Sequence, residues 1–274
     1  ELKIDLNAQW LDLSYTPEEE GKCSICKGKE WIEVEEVDNR RGVAIVDTKI
    51  IPKENNKYEY QEVLKQKCDC TLKREATQSF IDRIKASGLE EYVQTKTFKT
   101  FIVETDTQKR MLETCKNFVK EPKGTLALLG ETGSGKTHLG TAVVLNLVYK
   151  GYSAYYVEWR NEWQKAQNNY STIDEDKMEK WKNADVLYID DLFWAKSNDV
   201  HAISNREFEH GWQLLDARLK RNKITIISSE FTIQDFMEID RSTAGRLVEM
   251  AGDYLFIVEE EEGVNKNYRL RGIV

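Results

Sequence analysis

Long apolar runs are missing from this sequence of 274 residues, and no stretch approaches the length needed to span a membrane. An excess of positive charge is missing too. Lys and Arg number 40 against 48 Asp and Glu, a formal charge of −8, which excludes a globally basic nucleic-acid binder but leaves room for a local basic surface. Glycine (15) and proline (3) are sparse, and neither an internal repeat nor a low-complexity tract is present, so the chain reads as neither a repeat array nor a linker. The opening ELKIDLNAQW alternates charged with apolar residues and lacks the apolar core of a signal peptide. Residue 1 is Glu, so a little native sequence is expected ahead of it. What remains is an apolar content of 40%, enough for one large domain and a small one.

Cysteine is scarce as well, but its placement is informative. Cys23 and Cys26 form C-x2-C, Cys68 and Cys70 form C-x-C, and Cys115 stands alone. In a reducing compartment such pairs read as metal ligands before they read as disulfides. Two thiolates from each pair complete a four-sulfur set around Zn²⁺, a closed and therefore structural site. The β-rich runs "WIEVEEV" and "GVAIVD" between the pairs suggest hairpins of a small ribbon, and so small a module needs the metal to be stable. Ordinary thiols are the plainer alternative. In "QKRMLETCKNFVK", Met111, Leu112, Cys115, Phe118 and Val119 recur at helical spacing, so Cys115 is expected to be packing.

From about Thr125 the chain alternates β-rich and helical runs. The strands expected are "TLALLG" (125–130), "SAYYVEW" (153–159), "DVLYIDD" (185–191), "KITIISSE" (223–230) and "YLFIVE" (254–259), with helices between them. That order implies an α/β fold with a parallel five-stranded sheet. Pro122 marks the entry to this domain.

The first strand runs into Gly130, Glu131, Thr132, Gly133, Ser134, Gly135, Lys136 and Thr137, with His138 next, matching G-x-x-x-x-G-K-[ST] in full. The glycines let backbone N–H groups wrap phosphates at a helix N-terminus, Lys136 neutralises the terminal oxygens and Thr137 offers its hydroxyl to Mg²⁺. The cofactor expected is ATP with Mg²⁺, and a need for cytosolic nucleotide predicts a cytoplasmic protein. The strand at 185–191 ends in Asp190, expected to hold the Mg²⁺ shell, and Asp191, expected to orient or deprotonate the attacking water. The polar tip Ser228, Ser229, Glu230 of the fourth strand is placed to lie beside the terminal phosphate. Arg246 reads either as a cation completing a neighbouring subunit's site or as an ordinary surface arginine.

Taken together, "LALLGETGSGKTHL", "ADVLYIDDLF", "DARLKRNKITIISSE" and "AGRLVEM" resemble the DnaC/DnaI-type replicative helicase loaders of the AAA+ superfamily, including phage versions. "SGLEEYVQTKTFKTF" and "QKRMLETCKNFV" resemble the segment those loaders carry ahead of the phosphate loop. The likeness covers roughly 80–274. It implies an ATPase that loads a DnaB-type helicase onto single-stranded DNA and self-associates through its AAA+ domain. Lys136 and Thr137 would then be Walker A residues, Asp190 and Asp191 Walker B, Arg246 the arginine finger and Arg269 a nucleotide sensor. The domains implied are a helicase-docking zinc module (1–74), a helical lead-in (75–120) and the ATPase domain (121–274). The sequence departs from the family at Glu230, where the loaders carry an Asn; an ionised carboxylate donates no hydrogen bond, so Ser229 is the substitute to consider. About fifteen residues follow the last strand, too few for the helical lid of larger AAA+ proteins. For DNA, Trp159, Arg160, Trp163 and Lys165 offer stacking and phosphate contacts or else core packing, and Arg218, Lys220, Arg221 and Lys223 offer a basic cluster or else a helix end. Two other readings share these motifs, an IstB-like transposition helper and an ATP-binding switch without turnover.

Overall fold

A computed structural model describes residue 23 and residues 25–54, 57–168, 173–194 and 199–259. The chain divides into two compact units, 1–82 and 83–274, with the division inside one helix, α1 (Asp69–Ser87).

In the first unit, β1 (Trp31–Val34), β2 (Ile45–Lys53) and β3 (Lys57–Lys67) form an antiparallel sheet in the order β1-β3-β2. The two β-rich runs read from the sequence do not pair with each other: β3 lies between them, and Gly42–Ala44 of the second run precede the strand. The register sets Val46 opposite Leu64, Ile50 opposite Tyr60 and Pro52 opposite Tyr58, so these residues share one face. The opposite face is laced by the ion pairs Lys49–Glu33, Lys65–Asp47 and Lys53–Glu59. Gln66, buried in β3, accepts from the Asp38 amide at 2.8 Å and donates to the carbonyls of Asp38 (3.0 Å) and Gly42 (3.1 Å), which ties down the β1–β2 connection. Among the described residues from Cys23 to Thr71, the buried ones are Cys26, Gln66, Cys68 and Thr71. Among the described residues no aliphatic core backs this sheet, and the buried thiols are its main apolar anchor.

The second unit is a three-layer α/β domain. α2 (Asp106–Lys120) opens on a capping box in which Thr105 and Gln108 satisfy each other's amides, and it buries Met111, Cys115, Phe118 and Val119 as the periodicity predicts. β4 (Thr125–Gly130), β5 (Ala154–Glu158), β6 (Val186–Asp190), β7 (Ile224–Ser229) and β8 (Leu255–Val258) form a parallel sheet in the order β5-β6-β7-β4-β8. All five expected strands form. The central three are buried along their whole length while the edge strands are partly exposed, as parallel strands covered by helices require. α3 (Lys136–Tyr149) follows β4 and packs beneath β6 and β7, so it is apolar nearly all round. α4 (Trp159–Asn168) and α5 (Glu175–Asn183) lie between β5 and β6, and Trp159 begins the helix instead of ending the strand. α6 (Asn205–Lys220), α7 (Ile233–Ile239) and α8 (Arg241–Ala251) complete the layers. No helix among the described residues is long and apolar enough to cross a membrane. Arg269 and the stretch in which a lid would fall lie outside the described residues.

Candidate functional site

The sheet order sets the site. β6, β7 and β4 are neighbours, and their C-terminal ends bring Asp190, Ser228 and the 130–137 loop together. Two glycines of that loop are dictated by contact. Gly130 has φ +101° and a Cβ there would stand 2.2 Å from the Val258 carbonyl oxygen; Gly135 has φ +99° and a Cβ would stand 2.6 Å from the Phe101 ring. Gly133 is left-handed as well. The loop then opens α3, which points its first amides at the site.

Lys136 is buried, and its Nζ donates to the carbonyls of Gly130 and Glu131, each at 2.6 Å. Burial pulls its pKa down to about 8, against the opposing pull of Glu230, Asp191, Asp190 and Glu131. Asp190 is a buried carboxylate surrounded by hydroxyls. Its Oδ1 accepts from Thr137 at 3.1 Å, from Tyr188 at 2.7 Å and from Ser228, and its Oδ2 accepts from Tyr156 at 2.9 Å. Tyr188 fits beneath the loop because Gly140 of α3 has no side chain; a Cβ there would lie 2.6 Å from the tyrosine hydroxyl. Asp191 takes a left-handed backbone (φ 52°) as the chain leaves β6, and its amide donates to Ser228 Oγ at 3.2 Å. Burial, then the charges of Asp190 and Glu230, push its carboxyl up to about 6.

A cavity of about 430 Å³ lies over these groups. The loop, Lys136, Thr137, His138, Asp191 and Glu230 line one side of it. Thr95, Lys96, Thr100, Phe101, Ile102 and Gln108 line the other, a wall that the sequence motifs did not single out. His138 fixes this wall: its Nε2 contacts the Thr97 carbonyl at 2.8 Å and its ring meets Phe101 edge-on, with centroids 5.2 Å apart. Burial and the nearby Lys96 keep its pKa below the usual value, so the imidazole is neutral near pH 7. Glu230 accepts a hydrogen bond from the Thr132 hydroxyl of the loop.

Ser229 is a correction. Its hydroxyl donates to the Leu192 carbonyl at 2.7 Å and accepts from the Phe231 amide at 3.2 Å, and it does not line the cavity. Successive residues of a strand face opposite sides, so Ser228 is the one that reaches Asp190. Arg246 is half-exposed on α8, 3.4 Å from Asp216 of α6, and does not line its own chain's cavity.

Each DNA-contact cluster is split: Lys165, Lys220 and Arg221 are exposed, whereas Trp159, Trp163 and Arg218 are buried. Trp159 and Trp163 are buried; Trp159 Nε1 donates to Glu207 Oε1 at 3.0 Å, and Trp163 packs 5.5 Å from the His210 ring. Arg160 stacks on Trp194, and Lys165 pairs with Glu162 at 2.8 Å. Arg218 is fully buried and donates to the carbonyls of Trp181, Ala184 (3.0 Å) and Ile224 (2.5 Å) and to Thr225 Oγ1 (2.9 Å). Lys220, Arg221 and Lys223 pair with Asp216, Glu179 and Asp185.

The four thiols of the first unit converge. All Sγ atoms of Cys23, Cys26, Cys68 and Cys70 lie within 4.8 Å of one another, with Cys23–Cys68 at 3.7 Å and Cys26–Cys70 at 3.5 Å. Zinc bonded to sulfur at about 2.3 Å in a tetrahedron needs sulfurs about 3.8 Å apart, so the donor set fits the ion. Backbone amides of Cys26 and Ile25 pull the Cys23 thiol down to about 6, while burial and the other thiols push Cys70 up to about 12. Cys115 is apart from this set, buried in α2, and burial raises its thiol to about 12.

The sequence profile of the IstB-like ATP binding protein family matches residues 45–241. The uncharacterized protein YqaM of Bacillus subtilis (strain 168) is 29% identical over 222 residues, 77% of this chain and 69% of YqaM. The phage-like element PBSX protein XkdC of the same organism is 34% identical over 152 residues, 55% of this chain and 56% of XkdC. In the crystal structure of the DnaC helicase loader, 99% of that chain aligns with 62% of this one at a TM-score of 0.51 and 20% identity, a likeness of fold. The profile, the five-stranded parallel sheet and the loop between β4 and α3 agree: this chain belongs to the IstB-like ATP-binding family, with an α/β fold like that of the DnaC loader.

Proposed function

We propose that this chain is a cytoplasmic, ATP-dependent loader of a DnaB-type hexameric helicase onto single-stranded DNA. The observation that carries the reading is a core matching nearly the whole solved DnaC loader, placed after a module with a convergent four-thiolate set. XkdC, with its place in a phage-like element, adds support for a mobile-element version.

In this reading the module of residues 1–74 docks on the helicase, 75–120 leads in, and 121–274 is the ATPase domain. ATP with Mg²⁺ supplies the triphosphate whose terminal phosphoryl group leaves on hydrolysis. Lys136, whose ammonium rests on the Gly130 and Glu131 carbonyls, would turn to phosphate oxygens together with the loop amides, acting as Walker A. Thr137 and Asp190 hold the Mg²⁺ shell. Asp191 accepts the water's proton at its carboxylate; a carboxyl pushed up to about 6 is a better base than a surface aspartate. Arg246, exposed and outside its own cavity, reaches the site of an adjacent copy. Zn²⁺ on the four thiolates holds the docking module together. The test is retention of the helicase hexamer on circular single-stranded DNA: it requires this protein and ATP, and Lys136→Ala abolishes it. No retention with a cognate helicase overturns the reading.

The family match itself favours a second reading, a transposition helper of the IstB type. That protein would bind duplex DNA and a transposase and would leave the helicase alone.

A further inference from the structure

The cavity over the loop is lined by two carboxylates, Asp191 and Glu230, and by two ammonium groups, Lys96 and Lys136. Lys136 is surrounded by Glu131, Asp190, Asp191 and Glu230, and three of these four carboxylates arise where strands β4 and β6 end and turn. Glu230 adds the fourth from the end of β7, between the other two strands. It lines the cavity beside Asp191, and its carboxylate accepts from Thr132, a residue of the loop that wraps the phosphates. The hydrogen bond turns Glu230 toward the loop, at the wall of the cavity.

From this geometry we infer that Glu230 sets the choice between nucleoside diphosphate and triphosphate by repelling the terminal phosphate, so that the triphosphate enters as its Mg²⁺ complex. The inference rests on the nucleotide-binding reading above and deepens it. A polar neutral side chain at this point would donate to the terminal phosphate or its water; an ionised carboxylate accepts only. Charge on a third phosphoryl group therefore meets a like charge held in place by Thr132. Charge on the phosphates screened by a bound divalent cation would meet less of that repulsion at Glu230. Like charges sharing a cavity about 10 Å across, at an effective dielectric near 20, repel by an amount that corresponds to roughly tenfold in affinity.

The test is titration of the whole protein with fluorescent ATP and ADP analogues, with Mg²⁺ and with a chelator selective for it. Wild type is expected to favour ADP over ATP by about tenfold without Mg²⁺ and to lose most of that preference with it. Glu230→Gln keeps the acceptor for Thr132 and removes the charge; it is expected to bring the ratio without Mg²⁺ close to one. Glu230→Asp keeps the charge and is expected to retain the preference. Matching thermal unfolding curves for the two variants separate the charge effect from a folding defect. A ratio in Glu230→Gln that matches wild type overturns the inference and leaves nucleotide binding intact. Binding of neither nucleotide by wild type overturns the proposed function, and the inference with it.

Discussion

Asp191 lowers the stability of the folded chain at neutral pH, because its carboxyl is buried beside other carboxylates. Its folded pKa is raised to about 6 from the usual 3.8, first by burial and then by Asp190 and Glu230. The native state therefore holds this proton more tightly than the unfolded chain does, and the stability tied to it is present below pH 4 and lost as pH rises through 6. Asp191→Asn is expected to stabilise the nucleotide-free protein by about 3 kcal/mol at pH 7.5 and by little at pH 4, measured by urea unfolding. Equal gains at both pH values would contradict the assignment. Tyr188 makes the opposite case. It donates to a buried carboxylate, so Tyr188→Phe is expected to cost about 2 kcal/mol in the same measurement. At this scale the meeting of the loop with the end of β6 was legible, because a glycine-rich loop and an acid-tipped strand stand out by residue type and spacing. Ser228 against Ser229 was not, since two adjacent serines differ only in which face of β7 they occupy.

Among the elements, the strands of the ATPase sheet were legible and β3 was not. Buried parallel strands read as apolar runs, whereas KYEYQEVLKQK alternates charged and apolar residues on a sheet exposed to solvent. The stretch from Thr95 to Gln108 was read as a lead-in segment but not as a cavity wall, and Phe101 gains its place there only by lying against Gly135. The basic residues before β7 were legible as a helix end, which α6 supplies, but the burial of Arg218 was not. Arg218 satisfies three carbonyls where α6, α5 and β7 meet, and burial lowers its pKa to about 9. Arg218→Ala leaves those acceptors unpaired and is expected to cost about 3 kcal/mol of stability, with a fall in melting temperature as the readout. An unchanged melting temperature with weakened DNA binding would restore the DNA-contact reading. The thiol-held sheet carries its own expectation. A strong zinc chelator is expected to expose residues 23–68 to limited proteolysis while the 83–259 core stays resistant, because that sheet has no aliphatic core among its described residues. Resistance of the first unit after metal removal would show that the thiols do not hold it.

For the whole molecule, the reading joins two units of different chemistry: a metal-held module and an ATPase core whose arginine faces outward. Arg246 lies outside its own cavity, and in the proposed function it completes the site of a second copy. Arg246→Ala is expected to bind ATP as wild type does and to lose at least about tenfold of its turnover. Loss of ATP binding in that variant would place the arginine in its own site instead. The central claim is that ATP drives assembly of this chain on a helicase ring, and native mass spectrometry of the mixture tests it most directly. With ATP, a discrete complex of the DnaB-type hexamer and several copies of this chain is expected, and Lys136→Ala is expected to abolish it. Free hexamer and free chain under every nucleotide condition would contradict the claim and move the transposition helper to first place.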